Sequence, residues 1–399
     1  MSLKRSKRSK GRSISRIGLA GILVLLLAIV GGGLYAGGLI SKNTVRQMAG
    51  HVQKPAVERE LTLDEKVDQI VSNMTPGEKI GQMMMIGIKG QDVNADSLYM
   101  LHEYSMGGIV LFDRNMESQA QVKALNEHLQ QQANQKVPLF IAVDEEGGDV
   151  VRMAKALTPP PSEKALGAAG NPAAAQQWAV KTADALHGMG FNVNFAPVAD
   201  VGSPDSRSYS TQAAVVTDFV RHAADGYEQE NMLYSLKHFP GIGRGRVDSH
   251  VDAYKIDVRP EVLAAMDFVP FQTMIAERNP DNYFVMVSHL SYPALDASYP
   301  ASLSQKIITG ILREQMGFQG LIITDDMEMG AVSKHYDFAE LGVRAVEAGV
   351  DIVMVCHEYE HETAVYNGML KALKNGEISQ ARVDESVRRI VRAKLLHLM

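Results

Sequence analysis

The strongest constraint on the fold of this chain is an alternation along its length, in which short β-rich apolar runs are followed by longer segments of helical period. The runs are Gln82–Ile88, Gly108–Phe112, Leu139–Val143, Val193–Val198, Leu233–His238, Phe284–Ser288, Leu321–Thr324 and Asp351–Cys356. Helical spacing covers residues 117–134, 171–189, 211–230, 259–277, 303–316, 336–348 and 360–375, and an amphipathic stretch from Arg382 to Leu398 closes the series. Parallel strands need a crossover between neighbours, and a strand covered on both faces is apolar throughout, so the pattern predicts an α/β chain with a parallel sheet. Eight strands in roughly 330 residues favour a (β/α)8 TIM-type barrel over an open doubly wound sheet. Nucleotide-binding signatures are absent, since Gly147-Gly148 and Gly241-Ile242-Gly243 match neither G-x-G-x-x-G nor a P-loop.

The N-terminus has a different character. Residues 1–16 contain seven Lys or Arg and no acid, and they precede an uncharged apolar run, Ile17–Ile40. As a helix this run would reach about 36 Å, enough to cross a hydrocarbon core, so it is expected to be a transmembrane signal anchor that preceded the barrel. The basic stub then stays in the cytoplasm by the positive-inside rule, and the chain is expected at the cell membrane as a single-pass protein with its catalytic part extracytoplasmic. Secretion after signal cleavage is the alternative, with Tyr35-Ala36-Gly37-Gly38 offering small residues. Residues 41–62 are polar and read as a linker, which leaves 63–399 for the barrel. Without the seven basic residues of the stub, the net charge of −6 becomes about −13, an acidic body that argues against a nucleic-acid partner. The single cysteine, Cys356, allows no internal disulfide.

Polar residues collect where the strands end. Strand three runs into Asp144-Glu145-Glu146-Gly147-Gly148, strand four into Asp200, strand five into Lys237-His238-Phe239-Pro240-Gly241, strand six into His289 and strand seven into Asp325-Asp326. Any one of these could cap a helix or make a turn. Together on the C-terminal rim they suit binding of a hydroxyl-rich substrate and acid/base or nucleophilic chemistry. The chain has no H-E-x-x-H, and Asp248-Ser249-His250 is a poor ligand set, so neither a metal nor a cofactor is expected.

At KHFPGIGRGRVDSH (Lys237–His250) the sequence closely resembles family 3 glycoside hydrolases of the β-N-acetylglucosaminidase branch. MTPGEKIGQMMMIG (74–87), GGIVLFDRN (107–115), VDEEGGDVVR (143–152), FAPVADV (195–201) and GFQGLIITDDMEMGA (317–331) extend the match in order over nearly all of residues 63–399. The resemblance implies an exo-acting, retaining enzyme that removes terminal GlcNAc from peptidoglycan-type glycans through a covalent glycosyl-enzyme. It places the nucleophile at Asp325, the proton-transferring histidine at His250 and its orienting partner at Asp248. Sugar binding falls by position to Asp144, Arg152, Arg207, Lys237 and His238, while Asp326 is expected to serve structure. A glycoside phosphorylase and a degenerate, non-catalytic glycan-binding protein are the alternative readings.

Relatives commonly carry His or Gln where this chain has Glu145, Arg where it has Asp149, and His where it has Ile242. The first two changes are expected to make the strand-three rim more acidic. The three glycines of Gly241–Val247 predict a mobile loop that swings the Asp248/His250 pair over substrate.

Overall fold

The computed structural model describes residues 59–133, 136–154, 157–245 and 254–399. The basic stub, the run expected to cross a membrane and most of the expected linker lie outside the described residues, as do Asp248 and His250. No helix among the described residues is long and apolar enough to cross a membrane.

Eight parallel strands close into a barrel in chain order. They are β1 (Met84–Gly87), β2 (Gly108–Val110), β3 (Phe140–Val143), β4 (Val193–Asn194), β5 (Leu233–Phe239), β6 (Tyr283–Val287), β7 (Leu321–Asp326) and β8 (Ile352–Val355). Closure is made by β8 against β1, with Met84 opposite Val353 and Ile86 opposite Val355. With no sheet edge left, the strands are covered inside by one another's side chains and outside by helices, which is why their residues are almost all buried.

The expected barrel and all eight strands are present, with strand ends shifted by one to four residues. Only Val193 and Asn194 of the fourth run pair in the ladder, and the chain touches the sheet again where Val198 bridges Lys237. β5 extends to Phe239 and β7 to Asp326, and the register shifts between Leu236 and Phe239 and between Ile323 and Asp326, so Lys237, His238 and Asp325 sit at irregularities of the ladder. The segment 259–277 is two helices, Pro260–Ala265 and Val269–Glu277. Pro270 explains the break, since it lacks an N–H and its ring would meet the carbonyl four residues back. Helices Leu63–Ser72 and Pro76–Gln82, unrecognised in the sequence, begin at capping boxes built by Thr62 with Glu65 and Thr75 with Glu78.

The bottom of the barrel is closed from outside. Helix Gln380–His397 inserts the buried Lys394, whose ammonium donates to Gln82 Oε1 and the Gly107 carbonyl at 2.7 Å each and lies 4.8 Å over the Phe140 ring. Phe140 in turn meets Phe284 edge-on across the barrel interior at 5.4 Å. Just before β8, the buried Asp351 gathers Arg313, Arg382, Arg389 and Ser386. These groups lie at the N-terminal ends of the strands, the face that carries stability in this architecture.

Candidate functional site

At the opposite face, the ends of β3, β5 and β7 bring together the polar residues singled out in the sequence. Lys237, on β5, is 2% exposed. Its ammonium lies 2.7 Å from Asp144 Oδ1 and 2.6 Å from Glu146 Oε1. Arg207 closes on the same Glu146 with a two-pronged contact, Nε and Nη2 each 2.8 Å from a carboxylate oxygen. A planar guanidinium facing a planar carboxylate fixes both groups in orientation as well as distance.

The charges answer one another. Burial alone would raise the Glu146 carboxyl, but Lys237 and Arg207 hold it well below the usual carboxylate range. Burial would likewise discharge Lys237, yet Asp144 and Glu146 keep its ammonium above the ordinary lysine value.

His238 is oriented by an acid that also ties down the next loop. Asp200 Oδ2 accepts from His238 Nδ1 at 2.8 Å, while Asp200 Oδ1 accepts the backbone N–H groups of His238 and Ile242 at 3.2 and 2.8 Å. The other ring nitrogen, Nε2, faces Arg207 Nη2 at 3.2 Å.

Arg152 returns to the same mouth by a turn in the strand-three loop. Gly147 (φ 113°) and Gly148 (φ 58°) take the left-handed backbone that this turn requires, and Gly147 bridges Val150. The Arg152 guanidinium then stands 3.6 Å from Asp113 and 3.7 Å from Asp144. All five predicted sugar-binding residues therefore belong to one connected cluster.

Asp325 sits at the end of β7, partly exposed to the mouth. One oxygen accepts the N–H of Asp326 at 2.9 Å. Burial tends to raise its pKa, but His238, His289, that N–H and Lys237 together hold it below the usual aspartate value. An ionised carboxylate is the form a nucleophile needs. Asp326 is spent elsewhere: its carboxylate lies 3.1 Å from His357 Nε2 and caps the Glu328 N–H, and its carbonyl accepts from His289 Nε2 at 2.9 Å.

One expectation from the sequence changes. Glu145 adds no charge to the rim, because it is fully buried and its Oε2 accepts the N–H groups of Arg152 and Met153. Asp149 does stand exposed, receiving the Ser206 hydroxyl. In the described part of the glycine-rich loop, Tyr292 donates its hydroxyl to the Gly241 carbonyl, the Ile242 N–H donates to Asp200, and Arg244 lies 2.9 Å from the buried Asp267, while the rest of the loop expected to move lies outside the described residues.

The sequence placed Glu146, Asp200 and His289 at the rim without a task. Glu146 is the anchor of two cations, and Asp200 orients the His238 ring. Their signal was the position itself, immediately after a strand, but partnership between residues 61 or 91 positions apart needs the closed barrel.

This constellation at the C-terminal mouth of a (β/α)8 barrel agrees with the comparison to known proteins. The model described as the glycosyl hydrolase family 3 N terminal domain matches residues 75–393. The chain belongs to glycosyl hydrolase family 3. Among its relatives, a Beta-hexosaminidase of Xylella fastidiosa (strain 9a5c) is 36% identical over 286 residues, covering 69% of this chain and 83% of that protein. Beta-hexosaminidase A of Pseudoalteromonas piscicida is 32% identical over 332 residues and 74% of this chain, which spans about half (54%) of that relative's length. Of solved structures, a glycoside hydrolase family 3 beta-N-acetylglucosaminidase from Paenibacillus sp. str. FPU-7 has a TM-score of 0.78 at 36% identity, covering 81% of this chain and 62% of its own. A Beta-N-acetylhexosaminidase from Beutenbergia cavernae DSM 12333 has a TM-score of 0.73 at 26% identity, covering 81% and 99%.

Proposed function

We propose that this family 3 chain is an exo-acting, retaining β-N-acetylglucosaminidase that hydrolyses terminal GlcNAc from peptidoglycan-type glycans. The observation that carries the reading is Asp325: a carboxylate kept ionised at the end of β7, facing a mouth lined by Asp144, Arg152, Arg207, Lys237 and His238. Names of relatives support the sugar, since both the Xylella and the Pseudoalteromonas proteins are beta-hexosaminidases.

In this mechanism Asp325 attacks the anomeric carbon and forms a glycosyl ester, while His250 protonates the departing glycosidic oxygen. The same histidine then takes a proton from water, which displaces Asp325 with a second inversion. Asp248 fixes the tautomer of His250 and supports its charged form. An imidazole suits both proton transfers near neutral pH, because its ordinary pKa is about 6.5. Lys237, Arg152, Arg207 and His238 donate to substrate oxygens, and Asp144 accepts from hydroxyls.

The apolar run Ile17–Ile40 behind a basic stub supports placing this chemistry outside a membrane, on a single-pass anchor. Full-length protein in detergent should release 4-nitrophenol from its β-GlcNAc glycoside much faster than from the β-glucoside. Equal or reversed rates would contradict the assignment of the sugar. Release of GlcNAc from the non-reducing ends of muropeptides would support the wall glycan, and no release from them would exclude it.

A further inference from the structure

Glu145 has no place in the mechanism above, yet it is one of the most thoroughly enclosed polar residues of the molecule, with no exposed surface. It follows Asp144 at the end of β3. Its backbone is bolted to the neighbouring strand: the Glu145 N–H donates to Asn194 Oδ1 at 3.0 Å, and its carbonyl accepts from Asn194 Nδ2 at 3.1 Å. Asn194 is itself held, because Nδ2 lies 3.0 Å from the hydroxyl of the buried Tyr227.

From this fixed base the Glu145 side chain spans the turn. Oε2 accepts the N–H of Arg152 at 2.9 Å and that of Met153 at 3.1 Å. Between the two ends of this clamp lies a loop whose own tie is the bridge of Gly147 to Val150. The side-chain contacts of Arg152 are looser. Its guanidinium stands 3.6 and 3.7 Å from Asp113 and Asp144, beyond hydrogen-bonding range, and 5.5 Å from the centre of the Phe112 ring. Close contacts hold Arg152 at the backbone, and loose ones guide its head.

We propose that Glu145 is a positioning residue for substrate binding, whose side chain sets where the Arg152 guanidinium stands by gripping the N–H groups of Arg152 and Met153. The inference rests on the reading of Arg152 as a sugar-binding residue. A clamp of this kind acts through geometry: with the acceptor removed, the part-buried Arg152 N–H and the buried Met153 N–H lose their partner, the returning strand of the loop shifts, and Arg152 meets the sugar less well.

The test is a kinetic cycle on the full-length protein in detergent with 4-nitrophenyl β-GlcNAc, comparing wild type, Glu145→Gln, Glu145→Met, Arg152→Ala and the Glu145→Met/Arg152→Ala pair. KM does not depend on the fraction of molecules that fold, so a merely structural role would lower apparent kcat and leave KM in place. Glu145→Met, which keeps the volume and removes the acceptor, is expected to raise KM by about tenfold with kcat changed much less. Glu145→Gln keeps an acceptor oxygen and is expected to bring KM back to within about threefold of wild type. In the Arg152→Ala background Glu145→Met should add less than about twofold, because residues acting through one contact are not additive. Should Glu145→Met not fold, Glu145→Ala carries the same cycle. A wild-type KM in the Glu145 variant, or effects that multiply in the pair, would overturn the inference while Arg152→Ala alone still raised KM. A wild-type KM in Arg152→Ala would remove the sugar-binding role of Arg152, and the inference with it.

Discussion

Lys237 Nζ and Glu146 Oε1 lie 2.6 Å apart at the barrel mouth, with next to no solvent on either side chain. Glu146 faces Arg207 as well, so one buried carboxylate balances two cations. Glu146→Ala would leave Arg207 without its carboxylate and Lys237 with Asp144 alone, and breaking a buried pair from one side costs about 3–5 kcal/mol. Chemical unfolding monitored by circular dichroism should show a loss of this size, with Glu146→Gln losing less. Because the Glu146 carboxyl is held below its ordinary value, its contribution is present at neutral pH and lost only as pH falls below the usual carboxylate range.

The acid limb of kcat/KM follows from Asp325. Its pKa is lowered in the fold, so the nucleophile stays ionised as pH falls past the usual aspartate value, and the limb should lie below that value. Among the groups that hold it down against burial, His238 comes first. In His238→Ala the limb should therefore move to higher pH. A limb that stayed in place would remove this account of the charge on Asp325.

The barrel was legible because its strands are buried on both faces and its helices on one, so period and composition both change at every boundary. Strand ends were less legible: Val193–Val198 reads as one apolar run, but only Val193 and Asn194 find ladder partners. For the site, the residues at strand ends could be named in advance, since β3, β5 and β7 deliver Asp144, Lys237, His238 and Asp325 to one mouth. Direction was not legible. Glu145 and Glu146 are adjacent acids, yet Glu145 turns inward to the loop backbone and Glu146 reaches across to β5, a difference made by Asn194 and Lys237 from other strands.

At the other end of the barrel, Asp351 is held at a pKa of about 2 against burial by Arg313, Arg389 and Arg382. Asp351→Ala would leave three arginines without their shared acid and should cost about 3–5 kcal/mol of stability at neutral pH while leaving KM unchanged. The sign of the pH dependence is fixed by the lowered pKa. The part of this difference that comes from ionisation, about 2 kcal/mol, is fully present above the usual aspartate value and should fade as pH falls towards 2. Thermal melts of both proteins between pH 7 and pH 3 would show the gap narrowing.

For proton transfer, His250→Ala should lower kcat on a GlcNAc disaccharide by about 10²–10⁴-fold. Aryl glycosides with acidic leaving groups need less protonation and should lose far less. Equal losses on both substrates would take the general-acid role away from His250. Turnover that required added phosphate would favour the phosphorylase reading over hydrolysis.

The central claim is that Asp325 carries the sugar between the two steps, and covalent trapping tests it most directly. Full-length protein is incubated with a 5-fluoro β-GlcNAc fluoride, an activated donor whose second step is slow, then digested and mapped by mass spectrometry. The account predicts one fluoro-GlcNAc adduct, on the Asp325 carboxylate, and none in Asp325→Ala. An adduct on another residue, or steady hydrolysis of β-GlcNAc glycosides by Asp325→Ala, would contradict it.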